Sequence, residues 1–206
     1  MKGLTGALGV AGGIATIGAG IKSAMTSGMD FTNALNTMQA VAGASSAQVA
    51  KVGEVARQLG TDNQLAATSS VDAAQAMLEL AKGGFTVEQS MSAARGTLQL
   101  AAAAQIDAAE AATIQSQALQ AFGLQADQAG RVADVLANAA NASSAEITDV
   151  AYALAQGGTV AKQFGMSVED AATTIGLLAN AGIQGSDAGT LMKSALLALT
   201  EPTEKQ

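Results

Sequence analysis

The sequence predicts an all-α protein of about nine short-to-medium helices joined by Gly-, Ser- and Asp-rich turns, and three observations support this fold class. The single proline is Pro202, so nothing in residues 1–201 forces a break in a helix. Apolar residues recur every three or four positions between residues that favour helix ends. No segment shows the two-residue alternation of a half-buried strand.

Each predicted helix is delimited by a polar residue suited to an N-cap, by glycine, or by the end of the apolar pattern. A Gly/Ala-rich apolar N-terminal helix comes first. The later predicted helices begin and end, in chain order, at Ser45 and Gly60, Ser69 or Ser70 and Gly83-Gly84, Thr86 and Ala101, Asp107 and Phe122-Gly123, 127 and 141, Ser143 and Gly157-Gly158, Ser167 and Gly182, and roughly 187 and 199. Gly157-Gly158 is expected to interrupt or end its helix, and a short piece then reaches Phe164-Gly165. Residue pairs suited to capping open several of the helices: Ser45/Gln48, Thr86/Gln89, Asp107/Glu110, Ser143/Glu146 and Ser167/Asp170.

The composition excludes several kinds of active site. The 206 residues include no His and no Cys, which rules out imidazole or thiolate zinc ligands, disulfides and Ser-His-Asp or Cys-His pairs. No Gly-rich loop with Lys is present for phosphate binding. The nearest carboxylate pairs are explained as helix caps or first-turn charges: Asp107/Glu110, Glu146/Asp149 and Glu169/Asp170. We therefore expect no enzyme, no cofactor and no metal site.

The charge pattern argues against nucleic-acid recognition. The net charge is −7 and the ten Lys and Arg residues are scattered, whereas a nucleic-acid-binding domain normally carries a basic stripe. Charged residues make up only 13% of the chain, which is low for a free soluble domain. Either much of the surface consists of Ala, Gly, Ser and Thr, or partners cover part of it.

The N-terminal segment is long enough to cross a bilayer but is poor in large side chains. Residues 3–21 carry no charge, and Gly9 and Gly13 stand in the GxxxG spacing that permits close helix–helix approach. Three interpretations stay open for this segment. It is a helix for packing or assembly, a latent membrane-inserting segment, or a signal or constitutive transmembrane helix.

One helix-to-helix junction recurs along the chain. Residues 122–127 read FGLQAD and residues 164–169 read FGMSVE, while FTVE at 85–88 is a partial copy. Phe122-Gly123 and Phe164-Gly165 are therefore predicted to end helices, with glycine in the left-handed conformation before the next polar cap. The Phe spacings of 37 and 42 residues overlap those of two-helix solenoid repeats, although the copies are too loose to establish a repeat array.

The segment at 181–203, AGIQGSDAGTLMKSALLALTEPT, combines several such signals. We expect Gly182 to end a helix, Gly185 to lie in a tight loop, and Asp187 to begin a helix that carries Gly189 and Thr190 in its first turns. Glycine inside a helix costs up to about 1 kcal/mol relative to alanine. Gly189 is therefore predicted to permit close packing of another backbone, although an ordinary helical hairpin explains the segment equally well.

This same segment resembles the core region of phage tail tape measure proteins. Residues 31–45, 56–89, 131–154 and 164–183 fit the same family, so the resemblance covers roughly 30–203. With it we divide the chain into a Gly/Ala-rich N-terminal helical segment (1–43), a helical tape measure core region (44–201), and the start of a downstream region or a truncated end (202–206).

The resemblance implies a structural role in the virion. Proteins of this family thread the tail tube, set tail length during assembly, and are implicated in DNA passage into the host. The implied partners are the tail tube protein, tail assembly chaperones, the baseplate or tail-tip hub, a few symmetric copies of the chain itself, and the host membrane. The implied location is the phage tail, and the host cytoplasm during assembly.

The family resemblance also leads to an expectation about length, and two other functions stay open as hypotheses. Family members are normally far longer, so we expect these 206 residues to be the N-terminal part of a longer product or a truncated prophage gene. The alternatives are a membrane-active helical protein acting through residues 3–21, or an autonomous α-solenoid binding module.

Overall fold

The computed structural model describes residues 26–65 and 68–200, and all regular structure within those ranges is helical. Nine α-helices and one short 3₁₀ turn are present in this part of the chain, which confirms the predicted all-α class. The predictions for residues 3–21, for Gly9 and Gly13, and for residues 202–206 lie outside the described residues.

The helix bounds follow the predicted caps closely. In chain order the helices are α1 (described over 26–42), α2 (Ser46–Leu59), α3 (Ser70–Lys82), α4 (Val87–Ala104), α5 (Ala108–Phe122), the 3₁₀ turn (Ala126–Gln128), α6 (Ala129–Asn141), α7 (Ile147–Gln163), α8 (Val168–Asn180) and α9 (Gly185–Ala198).

Most of the predicted caps are present, and two differ. The side chains of Ser45, Ser69, Thr86 and Ser167 each accept a backbone N–H at the start of a helix. The prediction that Ser143 opens α7 is wrong. Glu146 is the N-cap, Asp149 accepts the Glu146 N–H at 3.1 Å, and Ser143 donates to Ala139 O instead. Asp107 accepts the Glu110 N–H at 2.8 Å, but Glu110 does not reach back to complete a capping box.

Two predictions about the glycines were also wrong. Gly157-Gly158 neither interrupts nor ends its helix, because α7 continues through both residues to Gln163. Gly185 does not lie in a loop before the last helix, since it is itself the first residue of α9, two positions before Asp187. Glycine is a weak helix former, but contacts with neighbouring helices overrode that local preference.

Alternate helices form two layers. Helices α3, α5, α7 and α9 pack side by side in one layer, and α2, α4, α6 and α8 in the other. Glu110 near the start of α5 bonds to Tyr152 in α7, and Phe122 at the end of α5 packs on Gly158 in the second half of α7. Helices of one layer therefore run in the same direction, and the described chain is a stack of antiparallel helix pairs.

The core lies between the two layers and consists mainly of small side chains. More than half of its buried hydrophobic residues are alanines, and Phe122 is the largest fully buried side chain. Because an alanine face lets helix axes approach closely, the layers are held together by many close contacts rather than by a few large side chains.

Candidate assembly surfaces

Four junctions with the same construction end α1, α3, α5 and α7. Gly43, Gly84, Gly123 and Gly165 all have positive φ, at +61°, +97°, +63° and +79°. Each is followed by an apolar residue and then by the residue that caps the next helix: Ser45, Thr86, Gln125 or Ser167. These glycines recur at intervals of 41, 39 and 42 residues, which is the length of one helix pair.

This alignment shows that Phe85 is not the counterpart of the other two junction phenylalanines. Phe85 follows the junction glycine, so it corresponds to Leu124 and Met166 and not to Phe122 and Phe164. The backbone N–H of Phe85, Leu124 and Met166 each donates to the carbonyl five residues earlier, at 3.2, 2.8 and 3.0 Å. The first copy, at Gly43, was missed because it has no phenylalanine. The signal that could have found it is glycine, an apolar residue and a cap, ignoring the residue before.

The two junction phenylalanines differ in environment. Phe122 is buried between the layers, whereas Phe164 is 36% exposed at the end of α7. The junction therefore requires the glycine conformation but not a buried aromatic side chain before it.

A set of side-chain hydrogen bonds joins each helix pair to the next. The bonded residues are 31–42 positions apart: Gln48 and Glu88, Arg95 and Gln64, Gln120 and Gly83, Arg131 and Glu169, Ser144 and Asn180, Ser144 and Gln184, and Tyr152 and Glu110. Bonds in both layers between residues about one helix pair apart are the pattern expected of a stack in which each repeat contacts its neighbours.

The best-formed ion pair of this set joins α6 to α8. Arg131 donates to Glu169 through Nε at 2.7 Å and through Nη2 at 2.9 Å. These hydrogen bonds are the main cause that lowers the pKa of Glu169 and raises that of Arg131. Glu169, one of the carboxylates singled out as pairs in the sequence, therefore joins two helices. Glu110 likewise accepts from the Tyr152 hydroxyl at 3.1 Å, which raises the pKa of Tyr152.

A close helix contact through glycines joins α7 to α9. A β-carbon added to Gly189 would overlap the carbonyl oxygen of Ala153 and lie 2.8 Å from its carbonyl carbon. From the α7 side, a β-carbon added to Gly157 would lie 2.7 Å from Gly189 O. The neighbouring Gly158 faces the other way, where its β-carbon would lie 3.0 Å from the Phe122 ring. The two adjacent glycines of α7 thus serve opposite neighbours.

The second layer contains an equivalent contact that the sequence reasoning missed. A β-carbon on Gly96 of α4 would overlap Gly130 N and lie 2.9 Å from Ala129 Cβ of α6. The available signal was a glycine inside an otherwise strong helix pattern, the same signal that drew attention to Gly189.

The other residues singled out at 181–203 lie near that contact but do not form a pocket together. Gly182 follows α8 with φ +88°, and Ile183 N donates to Leu178 O at 2.9 Å. Gly185 has φ +57°, and its β-carbon would lie 3.4 Å from Asp149 Oδ1. Asp187 lies in the first turn of α9, where its charge opposes the helix dipole favourably, and Thr190 is exposed.

An open groove of about 390 Å³ separates α6 from α8. Its lining is mainly apolar or small and includes Val135, Ala139, Ala172, Gly176 and Leu177. By position after the cap, Val135 stands in α6 where Gly96 stands in α4. The position that is a glycine in α4 therefore carries a larger side chain in α6.

Two features are absent from the part of the chain that the structure describes. Residues 26–65 and 68–200 hold no cluster of three or more carboxylates suited to a metal ion. Within the same ranges, none of the helices combines the length and the apolar character needed to span a bilayer.

Comparison with known proteins gives a consistent set of matches. A family model described as phage-related minor tail protein matches residues 53–206. The chain is 41% identical over 177 residues to the tape measure protein of Pneumococcus phage Dp-1, and 38% identical over 204 residues to the probable tape measure protein of Escherichia phage P2. These matches cover 86% and 97% of this chain but only 15% and 24% of the relatives. No solved structure matches it.

Proposed function

We infer the function from one premise: this chain belongs to the family of phage-related minor tail proteins. It is a structural protein of a phage tail. We assign it more specifically to the tape measure type, as a folded helical segment of a longer tape measure polypeptide. The observation that carries this assignment is the identity to two tape measure proteins over 86% and 97% of the chain.

The structure supports a packing role for this segment. Its helix pairs are joined by glycine contacts and by hydrogen bonds between residues about one helix pair apart. A straight helix rises about 1.5 Å per residue, and this chain folds into short helices instead. The segment is therefore proposed as a compact head, and tail length is templated by the remainder of the polypeptide.

The proposed partners follow from that position. The tail tube protein, the tail assembly chaperones and the baseplate or tail-tip hub contact the segment during assembly, and a few symmetric copies lie together in the tail. A role in DNA passage into the host belongs to the same proposal.

The intact mass of the native gene product tests this function. A mass far above 20.2 kDa, recovered from purified tails, supports a segment of a tape measure protein. A mass near 20.2 kDa in the soluble fraction, with no material in tails, contradicts it.

One observation favours a second candidate, an autonomous α-solenoid binding module. The stack of helix pairs is the architecture of such modules, and the groove between α6 and α8 offers them a surface. This candidate predicts that the 206-residue chain is a monodisperse monomer that melts cooperatively and is absent from tails.

A further inference from the structure

We propose that the end of the stack formed by α8 and α9 is a docking surface for one further helix pair of the same kind, supplied by the same polypeptide C-terminal to Thr200. We call this surface the end face and define it by Leu177, Ala181, Leu191 and Ala195. The inference rests on the proposed function, because it requires a longer polypeptide.

The first argument comes from register in the layer of α9. Counted from each N-cap, Leu191 and Ala195 hold the positions of Ala153 and Gly157 in α7, which are buried against α9. The same positions hold Ile114 and Ala118 in α5 and Ala76 and Leu80 in α3, and all four are buried. In α9 alone among these helices both positions are exposed, with Leu191 at 43%.

The second argument comes independently from the other layer. Counted from Ser167, Leu177 holds the position that Gly96 holds in α4 and Val135 in α6. Gly96 is buried against α6, and Val135 is partly buried beside α8. Leu177 is 67% exposed, and part of its side chain also lines the groove between α6 and α8. Both layers therefore present, at the same end, positions that in earlier repeats lie next to the following repeat.

The residues on this face have the character of an internal contact. A terminal repeat exposed to water normally carries a polar outer face, because an apolar one promotes association. Here the positions hold two leucines and two alanines, and Leu199 beside them is 78% exposed. The end face therefore has the apolar character of a surface that another helix pair covers.

The occupant can be described from the existing interfaces. Its first helix lies parallel to α9 and carries glycine or alanine where α9 carries Gly189, and its second helix packs beside Leu177. In every internal interface the covering helix comes about 40 residues later in the same chain, the length of a two-helix repeat. Because the matched relatives extend far beyond the region shared with this chain, we assign the occupant to the same polypeptide and not to a second copy.

Thiol reactivity tests this assignment, because the 206 residues contain no cysteine that would compete. The variant Leu191→Cys is made in the 206-residue chain and in the full-length gene product, and its rate of reaction with a maleimide dye is measured in both from the labelled peptide that contains residue 191. Met29→Cys, on a residue that is 64% exposed in α1, is the control. We expect the L191C rate to fall at least roughly tenfold in the longer polypeptide while the M29C rate stays the same.

Three results would overturn the inference. The first is equal L191C reactivity in both polypeptides. The second is protection in the 206-residue chain that grows with protein concentration, since a second copy then covers the face. The third is slow reaction in that chain at every concentration, which means that the face is not open. Leu177→Cys repeats the test in the other layer. If the full-length product is found in tails and its L191C thiol reacts freely, this inference is wrong while the proposed function still holds.

Discussion

Gly189 of α9 lies directly against the backbone of Ala153 in α7, so that no β-carbon fits between them. The contact joins two helices of one layer through backbone atoms, which permits the closest approach that two helices can make. It also explains why glycine stands inside α9, where it would otherwise weaken the helix.

Replacement of Gly189 by alanine should destabilise the fold. The new methyl group would push α9 away from Ala153, and overpacking of this kind costs about 1–3 kcal/mol, with Gly189→Val above that range. Gly130→Ala is the matched control, because its β-carbon would meet only Gln99 Oε1, at 3.8 Å. That control should be neutral or stabilising by up to about 1 kcal/mol. Urea unfolding measures both, and equal stability of G189A and the parent chain would contradict the packing role.

Gly96→Ala should have the same effect in the other layer. Its β-carbon would overlap Gly130 N, so α4 and α6 must separate. We expect a loss of about 1–3 kcal/mol in urea unfolding. If the repeats act as a stack, G96A and G189A should destabilise nearly additively, since the two contacts share no partner. A strongly non-additive double variant would count against independent contacts.

Gln105→Gly should stabilise the chain. Gln105 ends α4 in the left-handed conformation with φ +56°, and it is the one non-glycine residue with positive φ in the described ranges. A side chain there costs roughly 1–2 kcal/mol, which glycine avoids, less its greater freedom in the unfolded chain. We expect a net gain of up to about 1 kcal/mol, measured by thermal unfolding. The reverse change, Gly123→Gln at φ +63°, should destabilise the fold. A G123Q variant as stable as the parent chain would contradict this prediction.

The Arg131–Glu169 ion pair should make the stability of the fold depend on pH in the acid range. The pKa of Glu169 is lowered in the folded state, chiefly by hydrogen bonds from Arg131. The unfolded chain therefore binds more protons in the acid range, and stability rises with pH there. The contribution is present above the ordinary value of 4.5 and disappears as pH falls through the lowered value.

Glu169→Gln should remove part of this dependence. Since both side chains are more than 40% exposed, the effect should be small and should decrease with salt. The measurement is the difference in urea midpoint between E169Q and the parent chain at neutral pH and below pH 3. A difference that persists unchanged in acid would show that the variant acts through packing.

Residues 3–21 lend themselves to a membrane test. Their seven glycines and few large apolar side chains favour helix packing over insertion. We therefore expect the intact chain to release little dye from anionic lipid vesicles, with no change when residues 3–21 are deleted. Strong release that the deletion abolishes would support the membrane-active reading instead.

The sequence by itself determined the fold class and nearly all of the helix ends. Caps such as Ser45 with Gln48, and the left-handed glycines at 123 and 165, act on backbone groups within about one helical turn. Such local effects can be read from a few adjacent residues. The family could be recognised for a related reason, because its motifs combine these local signals in a fixed order.

Only the tertiary structure decided which helices touch. It kept Gly157 and Gly158 helical against opposite neighbours, brought Arg131 to Glu169, and aligned Phe85 with Leu124 rather than Phe122. These outcomes depend on residues more than 30 positions apart, and no local pattern states which faces will meet. A glycine that weakens a helix locally is retained because another backbone occupies the space where its side chain would be.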